Sequence, residues 1–251
     1  MNVSNRSPIE AYERQRIALA TITPSGNTVV ERITAELLRC FPQVSAHYSR
    51  MPVFGDSDPS PDTYALEPLL GAAQLLSHAK PQALLWNGSK GTAIGFRHDR
   101  DLVQKLYAST GIPATTSTLA LAEALAVRGI RRIGLVTPHV EAYQHKLIAR
   151  LAEEGLSCIA EAHGGLADNL SYASLPLPRI AEMMRKVAAA RPEAIVSLCT
   201  NFPGAPLVAT MEAELGLPIF DTVSLGIWHA LRLAGVDTRP AAPAWGRLFA
   251  E

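Results

Sequence analysis

Eight short runs rich in Val, Ile, Leu and Thr punctuate this chain, and amphipathic stretches lie between them. The runs are Arg16–Ile22, Gln43–Arg50, Gln82–Asn87 and a short one near Ile112–Thr116, then Arg131–Thr137, Ser157–His163, Glu193–Cys199 and Leu217–Thr222. In the stretch after the first run, Val30, Ile33, Leu37 and Leu38 share one helical face. Another, Thr116–Gly129, opens on cap-forming hydroxyls and closes on glycine. Strand-like runs alternating with helices over the whole length predict a parallel sheet with helices on its faces.

The first four runs and the last four also resemble each other. Arg16–Pro24 and Arg132–Pro138 each end in Thr-Pro before a helical stretch, and Ala83–Gly88 parallels Ala194–Cys199. Two related α/β halves are the economical reading; the other is chance likeness, because buried parallel strands all read as apolar runs. The division expected is 1–115 for the first half and 116–222 for the second, with the C-terminal helix and tail 223–251 packing back onto the first.

Composition narrows the function classes. Among 251 residues, 23 Lys plus Arg balance 23 Asp plus Glu, and no basic stripe appears, so a nucleic-acid partner is not expected. Met1–Arg16 mixes charges with polar residues and lacks a signal-peptide core, and no apolar window of about 18 residues predicts a membrane span. Cys40, Cys158 and Cys199 are too widely spaced for a disulfide framework or metal knuckle, so free thiols in a reducing cytoplasm are expected. Neither HExxH nor GxxxxGK[ST] occurs, which points to chemistry without metal or cofactor.

In open α/β sheets, ligands bind beyond the carboxyl ends of the strands. Thr23–Thr28, Asn87–Thr92, Thr137–Tyr143 and Cys199–Gly204 occupy such ends, and each is expected to lead into a helix. Helix N-termini present unpaired N–H groups, so a cleft collecting several suits a small carboxylate. Cys199 reads either as a thiol of lowered pKa, nucleophile or proton carrier, or as a small buried hydrophobe. His139 could hydrogen-bond a carboxylate. Ser25 and Asn27 read equally as ligands or as helix caps, and Lys90 as a countercharge or a solvated loop residue. Phe96–Asp101 reads as a solvated loop leading into a helix at Leu102–Thr110, and Cys40 and Cys158 as packing residues.

The ordered set Thr23–Thr28, the glycine and hydroxyl turn Asn87–Thr92, Thr137–His139 and Ser197–Asn201, with Gly216–Val236 and the terminal Trp245–Phe249, resembles the maleate isomerase and arylmalonate decarboxylase branch of the aspartate/glutamate racemase superfamily. The resemblance implies two flavodoxin-like halves related by a pseudo-twofold axis, an active site between them and no cofactor. Racemases and maleate isomerases of that superfamily carry one cysteine per half. Here Cys199 fills the second-half slot, while Gly88, or Asn87 in an alternative register, stands in the first. Glycine in that slot is the decarboxylase pattern.

With one thiol, the resemblance implies one-sided protonation of an enediolate by Cys199. The substrate positions it implies are Pro24, Ser25, Gly88, Ser89, Lys90, His139, Thr200 and Asn201. Asn27 and Asn169 look more like the carboxylate-binding asparagines of maleate isomerases. A small dicarboxylate is the expected partner, and homo-oligomerisation is left open. Cis–trans isomerisation, racemisation and non-catalytic carboxylate binding are the competing readings.

Overall fold

The computed structural model describes residues 16–53 and 62–250. The charged start, up to residue 15, lies outside them. Each expected run forms a strand: β1 (Ile17–Pro24), β2 (Val44–Met51), β3 (Ala83–Trp86), β4 (Ala114–Thr116), β5 (Arg132–His139), β6 (Ser157–Leu166), β7 (Ala194–Ser197) and β8 (Ile219–Asp221). They make two parallel four-stranded sheets, ordered β2-β1-β3-β4 and β6-β5-β7-β8. Strand order is the same in both, as a repeated α/β unit requires.

Side-chain alternation along the strands divides the interior into three. Leu19, Leu85, Ile133, Leu135 and Val196 face a central core shared by both halves. Ala20, Ile22, Leu84 and Trp86 face an outer core under the helices Leu66–Ser77 and Phe96–Thr110. Val136 and Ile195 do the same under the helix Leu177–Ala188. Helix Val30–Leu37 buries Val30, Ile33 and Leu37 inward, the face its spacing predicts.

The central core is closed by two helices that follow the last strand of each half, Ser117–Val127 and Thr222–Leu233. They pack on one another, and the second also covers β3, β4 and helix Val30–Leu37. The final turns touch both halves. Trp245 reaches the Cys40 thiol of the first half, and the Arg247 amide donates to Glu212 of the second half at 2.7 Å. The stretch Phe96–Asp101 departs from its expected reading as a loop. It is the start of the helix Phe96–Thr110, with Phe96 and Asp99 buried, because Phe96 joins the central core and Gly91 leaves space for the Asp99 carboxylate. No helix among the described residues is long and apolar enough to cross a membrane.

Candidate active site

The two halves are matched residue for residue by their sheet registers. Leu19 of β1 lies opposite Ala83 of β3, and Ile133 of β5 opposite Ala194 of β7. Thr23-Pro24 follows Leu19 at the same interval as Thr137-Pro138 follows Ile133. Counting forward from the paired alanines puts Trp86 with Ser197, Asn87 with Leu198 and Gly88 with Cys199. The last strands agree: Trp86 pairs with Thr116 and Ser197 with Asp221, and both partners cap the helix that follows. The first-half slot is therefore Gly88, and the Asn87 register is discarded.

Cys199 is 5 % exposed and sits in the outer core of the second half. Its amide donates to Thr222 Oγ1 at 2.9 Å, and the same hydroxyl donates to the Ser197 carbonyl at 2.9 Å. This clamp fixes the backbone on which the thiol rides. Burial pushes the thiol up to about 12, against the Asn201 amide, which lowers it. Of the two readings of Cys199, the lowered pKa needed a helix N-terminus at the sulfur. The turn after Cys199 instead runs through Gly204 and Ala205–Leu207 before the helix Val208–Leu215 begins, so no helix end is applied to the sulfur. Desolvation decides the outcome: the thiol keeps its proton at neutral pH.

Around the thiol, the His139 ring lies between Tyr143 and Tyr172, centroids 4.5 and 4.9 Å away. Burial pushes its pKa down to about 3, so the imidazole is neutral. Burial, followed by the neighbouring Cys199 and Asp168, raises the Tyr172 phenol. The Thr137 hydroxyl donates to Gln144 at 2.6 Å, and Gln144 donates on to Glu161 at 3.0 Å, which anchors the turn that carries His139.

From the first half, Asn27 takes the cap role and also reaches the second half. Its Oδ1 accepts the Val29 and Val30 amides at 2.9 Å each, a cap, and its Nδ2 donates to Thr200 Oγ1 of the second half at 3.3 Å. Asn201 is a staple: its Oδ1 accepts the Thr28 amide at 2.9 Å and its Nδ2 donates to the Asn169 carbonyl. Ser25 caps nothing. Its hydroxyl bridges the Val53 amide and carbonyl, at 3.0 and 3.2 Å. Pro24 is buried at the end of β1. Ser89 precedes the short helix Lys90–Ile94 without a side-chain cap, and Lys90, half-buried, opens it.

At or just beyond these strand ends, Thr23 Oγ1, Trp86 Nε1, Asn87 Nδ2 and Asn169 Nδ2 have no hydrogen-bond partner among the described residues. Asn169 Nδ2 lies against Gly26 of the opposite turn, 3.2 Å from where a Cβ would stand. Buried polar groups are otherwise paired, and an orphan costs about 1–3 kcal/mol. Donors left without partners suit an anionic guest. Among the described residues, no group of three or more His, Cys, Asp or Glu side chains is placed to hold a metal.

Sequence reasoning missed four contributors. Thr222 and Asp221 were foreshadowed by their first-half counterparts Ser117 and Thr116, since both pairs open a helix after a short strand. Arg50 holds the first turn, donating to the Ser25 and Asn27 carbonyls at 2.9 and 3.0 Å and pairing with Glu31. Asp99 accepts from Tyr64 at 3.0 Å beneath Gly91, and burial lifts its carboxyl to about 6.

A sequence profile of arylmalonate decarboxylases matches residues 71–249. The chain belongs to that family. Within it, and within the aspartate/glutamate racemase superfamily to which this branch belongs, likeness runs to two activities. The arylmalonate decarboxylase of Bordetella bronchiseptica is 28 % identical over 64 % of this chain and 69 % of its own length. The maleate isomerase of Nocardia farcinica is 29 % identical over 94 % of this chain and 96 % of its own. A solved structure of the latter enzyme, a cysteine-to-serine variant with a covalently bound succinylcysteine intermediate, superposes with a TM-score of 0.81 at 24 % identity, covering 93 % of this chain and 98 % of that one. Members of this family that resemble the chain are enzymes, and the maleate isomerases act on a small dicarboxylate.

Proposed function

We propose that this protein is a cofactor-independent decarboxylase of a substituted malonate, with Cys199 as its proton donor. In this reading one carboxylate of the substrate is held by the open donors Asn87, Asn169 and Thr23 and by backbone amides at Ser89 and Lys90. The other leaves as CO₂, and the electron pair of the broken C–C bond enters the enediolate of the retained carboxyl. Cys199 then delivers its proton to the α-carbon, and the resulting thiolate recovers a proton from water. His139, neutral, offers a hydrogen bond without attracting the departing carboxylate.

The observation that carries this reading is the unequal pair of matched strand ends: Cys199 stands at one, and at the other is Gly88, where a Cβ would meet the Trp86 indole. A sulfur whose pKa is pushed up to about 12 is furnished with the proton that protonation requires. Covalent addition to a double bond wants a thiolate, and two-base racemisation wants a partner where Gly88 stands. The unpaired Asn169 amide supports a second reading, maleate cis–trans isomerisation, since it offers the same donor to either acid.

Purified protein incubated separately with phenylmalonate, maleate and free amino acids distinguishes these. CO₂ from phenylmalonate, without fumarate from maleate, is the expected result. Fumarate from maleate would overturn the decarboxylase assignment in favour of the isomerase.

A further inference from the structure

The slot opposite Cys199 is occupied. A Cβ built on Gly88 would stand 2.4 Å from Cζ2 and 2.5 Å from Cε2 of Trp86, closer than real side-chain carbons approach. The indole belongs to the residue two positions earlier on β3, and it is 2 % exposed. It has no room to retreat. Tyr64 meets it edge-to-face with centroids 6.1 Å apart, and Met51, Leu102 and Leu106 belong to the same outer core. In the second half the matching residue is Ser197, a small side chain whose hydroxyl is tied to Asp221 at 3.2 Å. At Cys199 the chain carries a Cβ and a Sγ, buried in the outer core of the second half.

We infer that Trp86 is a specificity-determining residue: its indole holds the space of a first-half side chain and keeps that wall of the cleft free of any proton-transfer group. Neither glycine nor indole carries an exchangeable acid in the working range of pH, so a planar intermediate receives its proton from the Cys199 face alone. Gly88 is then a consequence of Trp86, and replacing Gly88 without reducing the indole overpacks the wall. The steric statement stands by itself; its consequence for stereochemistry rests on the proposed reaction.

The test is a cycle of Gly88→Cys, Trp86→Leu and the double variant, with Gly88→Ala as the mildest probe should Gly88→Cys fail to fold. Overpacking of this kind lowers the melting temperature of a chain this size by about 4–10 °C. That loss is expected for Gly88→Cys and for Gly88→Ala in the Trp86 background, and is expected to shrink to within about 2 °C once Leu replaces Trp86. Equal losses in both backgrounds, or no loss in the Trp86 background, would overturn the inference. For the chemical consequence, enantiopure 2-phenylpropionate is followed by optical rotation. The double variant is expected to racemise it and Gly88→Cys alone is not. A folded double variant that still decarboxylates phenylmalonate but leaves rotation unchanged counts against the inference. Coupled melting shifts in a protein that turns over no carboxylate support the steric inference and sink the proposed reaction instead.

Discussion

The two halves share strand order, register and capping positions, and they use their polar groups for different ends. In the second half the hydroxyls and carboxylates are committed to each other: Thr222 to Cys199 and Ser197, Ser197 to Asp221, Thr137 to Gln144. The outcome is a rigid mount for one sulfur. In the first half the equivalent ends leave Thr23 Oγ1 and Asn87 Nδ2 without partners, and an indole fills the place of a side chain. One half presents a proton and the unpaired Asn169 amide, and the other presents the donors of Thr23 and Asn87. A duplicated frame thus supports an asymmetric reaction through what stands at two matched positions, Ser197 against Trp86 and Cys199 against Gly88.

The most severe way to break this asymmetry is to remove the proton. Cys199→Ser should lower the rate of CO₂ release from phenylmalonate by about 10²–10⁴-fold, the range that general acid catalysis contributes. Circular dichroism should stay unchanged, since a hydroxyl fits where the thiol did. Retained turnover would place the acid elsewhere.

Next comes the mount. Thr222→Val keeps the shape of Thr222 but strands the Cys199 amide and Ser197 carbonyl, which should lower unfolding free energy by about 1–3 kcal/mol in denaturant titration. Ser117→Ala, the matched change in the first half, removes only the hydrogen bond to Asn87 at 3.0 Å. Its cost should be near 1 kcal/mol. Equal costs would mean that the halves are not held differently.

The smallest effect is one of slope. Burial lifts the Asp221 carboxyl to about 7 from its ordinary 3.8. Between those values the folded chain holds a proton that the unfolded chain has released, so this group's contribution to stability declines as pH rises from 4 to 7. Asp221→Asn retains the cap acceptor for Val223 and Ser224 and abolishes the titration. The stability of the variant relative to the parent should therefore improve steadily across that window in urea unfolding. A constant difference would show that Asp221 does not titrate there.

Much of this was legible in the chain. Strand positions and the inward face of Val30–Leu37 follow from periods of two and 3.6, which survive into the fold because burial on one face is their cause. The Thr-Pro repeats and the paired alanines likewise suggested the likeness of the halves, while the choice of Gly88 over Asn87 needed the strand register. What stayed hidden depends on neighbours distant in sequence. Asp99 lies in a charged run that reads as solvated, and its burial depends on the space left by Gly91 and on Tyr64, Thr116 and Thr118, all outside that run. Trp86 reads as one more apolar strand residue, since the direction of a buried ring is set by tertiary packing. The choice between the two readings of Cys199 stayed open in the sequence because it turns on a turn, where a helix was expected, following the residue, so that burial is unopposed by a helix end.

A sulfur that holds on to its hydrogen is also a poor target. Alkylating reagents and peroxides attack the anion, and Cys199 offers little of it and almost no surface. The same burial that equips the residue to give a proton should let the protein endure oxidising conditions that silence enzymes built around an ionised cysteine.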